Sequence, residues 1–438
     1  MKLSYAAYVT LSSSLFLSLF PPFFTYTRLT GRYRKGLKER LGFFPAHSVG
    51  ALRAGQRIWI HGASLGEIRV AAAIKEHLKE LVPECGIILS ATTDHGCELA
   101  REIHKEGSVV YAPLDLVFSV RKALSVAKPS VMVFLETEIW PAWLFEARRM
   151  GIRTTLVNGR ISGRSVHKYK RFRFFFRNVL ESVDQFSMIS QDDAERIIAL
   201  GADPKRVTVN GNGKYEFLGT GVDPYLQEKT REMLNLAPSQ NVFVAGSTRT
   251  GEEPIILAVY EKVVQRHPDT ILVIAPRHLT RIPEIKLLLR SRGFEYQLWS
   301  QLRSGSIQRS ARVVIVDTYG ELFNLYSVGT INFCGASLVP LGGQNPLEAA
   351  VWGKVVFYGP SMEDFHDAKT LLEKQGAGIE VSSSESFAEK ALRLLENPES
   401  ARARGLRARE AVLSAQGAAR RHAQVIARLL PGPDHLMR

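Results

Sequence analysis

"RIWIHGASLGEIRVAAAIKEHL", residues 57–78, decides how the rest of the chain is read. An apolar strand runs into a Gly/Ser turn and a helix opens, which is the join expected of a parallel sheet. Backbone N–H groups and the dipole at a helix start attract anions, so such joins commonly keep the first turn open for a phosphate. Here a carboxylate, Glu67, already stands in that turn. Helix-end rules alone would make it a cap, while Gly66 beside it would let a ligand come close.

Working outward, short β-rich runs alternate with segments of helical period: "GIILSA", "SVVYA", "SVMVFLE", "RTTLV", "QFSMIS" and "RVTVN", then "NVFVAGS", "TILVIAP", "ARVVIVD", "TINFCG" and "KVVFYG". This βαβ rhythm predicts an α/β chain of two doubly wound halves. The passage "GNGKYEFLGTGVDPYL" has neither period and reads as the linker. The expected division is an N-terminal membrane anchor or interfacial helix over 1–24, a first domain over 25–212, a linker over 213–228, a second domain over 229–410 and a basic helix over 411–438. In open parallel sheets ligands bind at the carboxyl ends of the strands, so the chemistry is expected in the loops that follow strands, in a cleft between the halves.

The chain of 438 residues carries a net charge of +14, which calls for an anionic partner. Its cysteines, Cys85, Cys97 and Cys334, have no close spacing, so neither a disulfide framework nor a zinc knuckle is supported. Between Lys2 and Arg28 there is no charge, and Pro21 and Pro22 are expected to stop the helix after about 18 residues, roughly 27 Å. A cleaved signal would want a more basic start and a small-residue cleavage site, and "PPFFTYTR" has neither. Arg28, Arg32, Arg34, Lys35, Lys38 and Arg40 follow, which keeps what comes after on the cytoplasmic side of a membrane. A second basic stretch interleaves Arg160, Arg164, Lys168, Lys170, Arg171, Arg173 and Arg177 with Tyr169, Phe172 and Phe174–Phe176. Aromatics among bases stack on nucleic-acid bases or enter a membrane interface under anionic headgroups, and the apolar N-terminus favours the membrane.

Three loops after strands of the second half suit a nucleotide. "APRH" presents Arg277 and His278, whose fork could grip a phosphate. "DTYGEL" offers Gly320 and a helix start, and "GGQNPLEAA" combines a glycine pair with Asn345 and Pro346 at a helix start and Glu348 in its first turn. In the first half, "LETEIWP" ends a buried-type strand with Glu136 and Glu138, which a continued strand would point to one side. "GNGKYE" sets Lys214 beside the linker.

Taken in order, "HGASLGE", "LETEIWP", "NGRISGRS", "GNGKYE", "GSTRTGEE", "APRH", "DTYGEL" and "GGQNPLEAA" resemble the 3-deoxy-D-manno-octulosonic acid (Kdo) transferases of lipopolysaccharide assembly, over nearly the whole chain. The resemblance implies a two-domain GT-B fold at the cytoplasmic side of the inner membrane. It also implies inverting transfer of Kdo from CMP-Kdo to a lipid A precursor (lipid IVA), with an anionic membrane and no nucleic acid as partner. Carried over by motif, it makes Glu67 the general base and Glu136 and Lys214 stabilisers of the transition state. Contacts to CMP fall to Pro276 and Arg277, to Tyr319, Gly320 and Glu321, and to Asn345, Pro346, Leu347 and Glu348. The chain departs from the family's usual residues at Gly213, Arg249 and Gln344. No cofactor or metal is expected: a CMP-sugar has a single phosphate, which one arginine and helix-start N–H groups could neutralise, and the chain has no D-x-D triplet. Two other readings stay open on the residues alone, a UDP-sugar epimerase or UDP-dependent glycosyltransferase of the same fold and a non-enzymatic polyanion-binding protein.

Overall fold

The computed structural model describes residues 3–30, 35–45, 55–105, 107–161 and 171–431. The chain forms two compact units, one of Met1–Glu216 together with Gln416–Arg438 and one of Phe217–Ala415. The first crossover falls inside the passage read as linker, and the chain returns to the first unit near its end.

The first unit is built on β1 (Arg57–Gly62), β2 (Gly86–Ala91), β3 (Ser108–Tyr111), β4 (Val131–Leu135), β5 (Arg153–Gly159), β6 (Gln185–Met188) and β7 (Val207–Val209). They form one sheet in the order β3-β2-β1-β4-β5-β6-β7 with every pair parallel. Ile58, Trp59 and Ile60 of β1 and Val131, Met132 and Val133 of β4 are fully buried, because helices cover both faces of a parallel sheet and its central strands are therefore apolar throughout. The strand order reverses between β1 and β4, and loops leaving such a switch point part to opposite faces and open a crevice.

The second unit repeats the plan with β8 (Val242–Thr248), β9 (Ile271–Pro276), β10 (Tyr296–Leu298), β11 (Val313–Ile315), β12 (Ile331–Cys334), β13 (Val356–Tyr358) and β14 (Gly378–Glu380). Its order is β10-β11-β9-β8-β12-β13-β14, again all parallel, with the reversal between β8 and β12. This is the α/β architecture of two doubly wound sheets that the sequence rhythm predicts.

The N-terminal helix differs from expectation, running unbroken over Leu3–Thr30 through Pro21 and Pro22. A proline removes its own N–H but keeps its carbonyl, and the Thr25 hydroxyl returns to the Pro21 carbonyl at 3.0 Å. One flank of this helix packs on the first unit: Tyr5 lies 4.1 Å from the Phe145 ring and 3.1 Å from Glu146, Tyr8 lies 5.6 Å from the Phe175 ring and bonds Asp115, and Phe16 lies 6.4 Å from Phe118. The other flank leaves Leu11, Leu15, Leu19, Phe23 and Tyr26 exposed at helical spacing. Of the second basic stretch, Arg164, Lys168, Tyr169 and Lys170 lie outside the described residues; Phe172 and Phe174 are exposed.

Near the C-terminus, Pro398–Ser414 and Ala418–Ala427 are separate helices with left-handed Gly417 between them. Ala419, Ala423 and Ile426 of the second join the core of the first unit beside Ile68 and Ile74.

Candidate active site

The turn after β1 shows what the opening carboxylate does. Ser64, in extended conformation, caps the helix Leu65–Leu81 by accepting the Glu67 N–H. The Glu67 side chain folds back, one oxygen accepting the Ala63 N–H at 2.7 Å and the other the Ser64 hydroxyl at 2.8 Å. This reciprocal arrangement is close to a capping box, so Glu67 does cap its helix. It is 7% exposed. Burial raises its pKa, as do the neighbouring carboxylates of Glu136 and Glu138, and the Ala63 N–H and Ser64 hydroxyl only partly counter them. The helix start therefore does not set its protonation; desolvation and like charge do, and they make Glu67 a stronger proton acceptor than a free carboxylate.

Glu136 and Glu138 take different partners. β4 stops at Leu135 and Glu136 takes a left-handed conformation at φ 54°, which breaks the alternation a continued strand would keep. Glu136 pairs with the Lys214 ammonium at 2.5 Å. Glu138 accepts the Trp140 indole N–H at 2.5 Å and lies 3.6 Å from Nε2 of His61. Burial alone would raise the Glu138 carboxyl, but His61 and Trp140 outweigh it and hold it below the ordinary value. His61 is itself buried, with Nδ1 3.0 Å from the Ser90 hydroxyl.

Lys214 rides on a single 3-10 turn, Gly213–Tyr215. The turn is fixed by Asn158, a left-handed bulge residue near the end of β5 whose Oδ1 accepts the Gly213 N–H at 2.7 Å. A Cβ at position 213 would meet Val70 at 3.0 Å, so glycine lets the turn lie against the helix that carries Glu67. Gly66 faces the same way: a Cβ there would lie 3.8 Å from Lys214 Cε. Three predicted residues, Glu67, Glu136 and Lys214, thus meet at the carboxyl ends of this unit's strands. The sequence reading missed Ser64, His61 and Asn158. Asn158 carried a signal, since asparagine before glycine at a strand end tolerates the left-handed region, and so did Ser64, three residues before Glu67 as in a capping box.

In the second unit the loops after β8, β9, β11 and β12 emerge from adjacent strands. Fully buried Glu252 accepts the N–H groups of Arg249, Ala336, Ser337 and Leu338 at 2.9, 2.8, 2.9 and 2.9 Å, welding the loop after β8 to that after β12. Glu253 accepts the Thr248 hydroxyl at 2.9 Å and Arg281 at 2.5 Å. The "GEE" of the sequence is scaffold. Arg277 and His278 are exposed at the end of β9, and Arg249 reaches His278. Half-buried Glu348 is pushed up to about 7 by burial, which the Arg277 guanidinium partly opposes. Asn345 accepts the Leu347 N–H at 3.1 Å, as an Asx turn does.

The remaining predicted residues divide by exposure. Pro276, Pro346 and Leu347 are buried and offer a ligand only their backbone, whereas Tyr319 and left-handed Gly320 are exposed. Glu321 is paired with Arg303 at 2.5 Å. Among the described residues no group of three or more His, Cys, Asp or Glu side chains could hold a metal ion.

A family model described as 3-deoxy-D-manno-octulosonic-acid transferase (kdotransferase) matches residues 35–217. A 3-deoxy-D-manno-octulosonic acid transferase of Aquifex aeolicus is 31% identical over 81% of this chain and 89% of its own length. A bifunctional glycosyltransferase/methyltransferase of Fusobacterium nucleatum is 32% identical over 83% of this chain, which spans only 57% of that protein. Among solved structures, a glycosyltransferase of Rickettsia africae aligns over 86% of this chain and 100% of its own with a TM-score of 0.59, at 15% identity, a likeness of fold.

Proposed function

The chain belongs to the Kdo transferase family, and from that premise we propose that it moves Kdo from CMP-Kdo to a phosphorylated lipid A precursor, with inversion at the anomeric carbon. The observation that carries this reading is the meeting of Glu67 with the Lys214–Glu136 pair at the switch point of the first sheet. An acceptor hydroxyl needs somewhere to leave its proton as it attacks, and a desolvated carboxylate of raised pKa is suited to take it. The hydroxyl oxygen forms the bond to the anomeric carbon while the bond from that carbon to the phosphate oxygen breaks, and CMP leaves with the electron pair. Lys214, held by Glu136, supplies the positive charge that offsets carboxylate and developing negative charge around the reacting sugar.

The donor side falls to the second unit. Arg277, with Arg249 and His278 beside it, would neutralise the single phosphate, and the exposed turn at Tyr319 and Gly320 would receive the base. Glu348 would accept a ribose hydroxyl, its charge balanced by Arg277.

The acceptor is a membrane lipid in this reading, and the N-terminal helix supports it. Tyr5–Thr30 is long and apolar enough to cross a bilayer, yet its contacts with Phe118, Phe145 and Phe175 lay it along the first unit with Leu11, Leu15 and Leu19 outward. That geometry favours a helix lying in the interface of the inner membrane, on its cytoplasmic side, beside the basic–aromatic surface of Arg171–Phe174. Incubation with CMP-Kdo and a tetraacylated lipid A precursor, followed by mass measurement of the lipid, tests the whole reading. A gain of one or more Kdo masses is expected; no gain, with UDP bound in preference to CMP, would overturn it.

A further inference from the structure

We infer that the return segment Gln416–His422 is a clasp that positions Lys214, with Glu216 and His422 as its working groups. The inference rests on the catalytic role proposed for Lys214. Its ground is where the polar bonds of this segment go. Gln416 donates to the carbonyls of Tyr215 and Glu216 at 3.4 and 3.3 Å, and Arg421 donates to the Asn210 carbonyl at 2.8 Å. The Glu216 carboxylate accepts the N–H groups of Gly417 and Ala419 at 3.0 and 3.5 Å, capping the helix Ala418–Ala427 where the helix dipole favours negative charge.

His422 is fully buried. Its Nε2 lies 3.1 Å from the Gly211 carbonyl, and its Nδ1 2.7 Å from the Ser187 hydroxyl, which also receives Asn210 Nδ2 at 2.5 Å. One neutral tautomer satisfies every group: Nε2–H donates to Gly211, and Nδ1 accepts from Ser187. Ala419, Ala423 and Ile426 already bury the helix in the core, so docking alone does not call for a buried imidazole. The bonds described grip the two ends of Asn210–Glu216, while Asn158 and Asn212 hold its middle at Gly213 and Lys214, the latter at 2.7 and 3.0 Å respectively. Slackening either end would carry the ammonium off Glu136, 2.5 Å away.

The test is a double-mutant cycle on the full-length chain. Glu216→Gln and His422→Leu should each lower kcat about tenfold while the KM for CMP-Kdo changes less than about twofold, because the donor groups lie in the other unit. His422→Gln, which can keep a donor to Gly211, should recover most of the loss. In a Lys214→Ala background neither change should lower turnover further. Losses that multiply undiminished in that background, or single variants that fold and turn over normally, overturn the clasp. Should His422→Leu fail to fold, Glu216→Gln alone decides, since its side chain is half-buried and its shape is kept. Wild-type turnover in Lys214→Ala itself would instead overturn the role given to that lysine.

Discussion

Replacing Glu67 by glutamine separates the two duties that the structure gives it. The capping bonds survive the change: an amide oxygen can accept the Ala63 N–H now held at 2.7 Å, and the amide nitrogen can donate to the Ser64 oxygen at 2.8 Å as that hydroxyl turns away. What is lost is charge assistance in two bonds, about 1 kcal/mol each. Against that stands the cost of burying an ionised carboxylate beside Glu136 and Glu138. The sign follows from the raised pKa: the contribution is fully present below the unfolded value and is lost as pH rises through the folded one, so at neutral pH the charge is a burden that glutamine removes. The two effects oppose, and the melting temperature should match or exceed that of the wild type.

Turnover should nonetheless fall by about 10²- to 10⁴-fold, because glutamine cannot take the acceptor's proton. Single-turnover mass measurement with saturating donor, beside CMP calorimetry and a thermal melt, reads all three quantities. Near-normal turnover in a folded variant would refute the reasoning, and it would not pass the role to a neighbour easily. Glu136 is held by Lys214, and Glu138 has its pKa lowered by the hydrogen bonds of His61 and Trp140 despite burial.

Three further outcomes are expected. Because burial pushes the Glu348 carboxyl up to about 7, CMP should bind more tightly as pH rises from about 6 to about 8, and the Glu348→Gln variant should lose that part of the rise by calorimetry. His422, lowered to about 4 by burial, stays neutral in the fold while the unfolded chain takes up a proton below about 6.5. Stability should therefore drop by roughly 3 kcal/mol as pH falls through that window, and His422→Gln should abolish this part of the slope in denaturant titrations. Changing Leu11, Leu15 and Leu19 together to serine should leave the melt unaltered, since all three are exposed, but release the protein from anionic vesicles in flotation; retained binding would contradict the in-plane helix.

Strand–turn–helix joins at Arg57–Leu78 and Val242–Arg266 were legible because apolar runs and helical periods are local properties of the chain. So was the grouping of Glu67, Glu136 and Lys214, through the order of motifs. Two kinds of feature were not legible. A left-handed backbone at Glu136 and Ser247 has no signal in the residue types there, and it breaks the period that a strand would keep. The prolines misled for the opposite reason: a local rule predicted a stop at Pro21 and Pro22, and the helix continues through them to Thr30. His422 could not be tied to Gly211 from spacing at all, since some 200 residues of the other unit intervene.

The two units place a buried glutamate at the same point of the same fold, Glu67 after the first strand of one and Glu252 after the first strand of the other, and their surroundings explain why only one is suited to chemistry. A carboxylate has about four lone-pair sites. At Glu252 all are spoken for by four backbone N–H groups from two loops, and the side chain is fully buried. At Glu67 one backbone N–H and one hydroxyl take a share and leave the rest. Glutamine should therefore act differently at the two positions. In Glu252→Gln the amide nitrogen must face two N–H donors whichever way it turns, leaving them unsatisfied at about 1–3 kcal/mol each. Relief of the burial that raises the Glu252 pKa offsets part of that, and a net loss of at least about 2 kcal/mol should appear as a lower denaturation midpoint. Glu67→Gln should lose turnover and keep stability; Glu252→Gln should lose stability, with turnover per folded molecule much less affected. Equal stability in the two variants would mean that lone-pair occupancy does not distinguish the weld from the base.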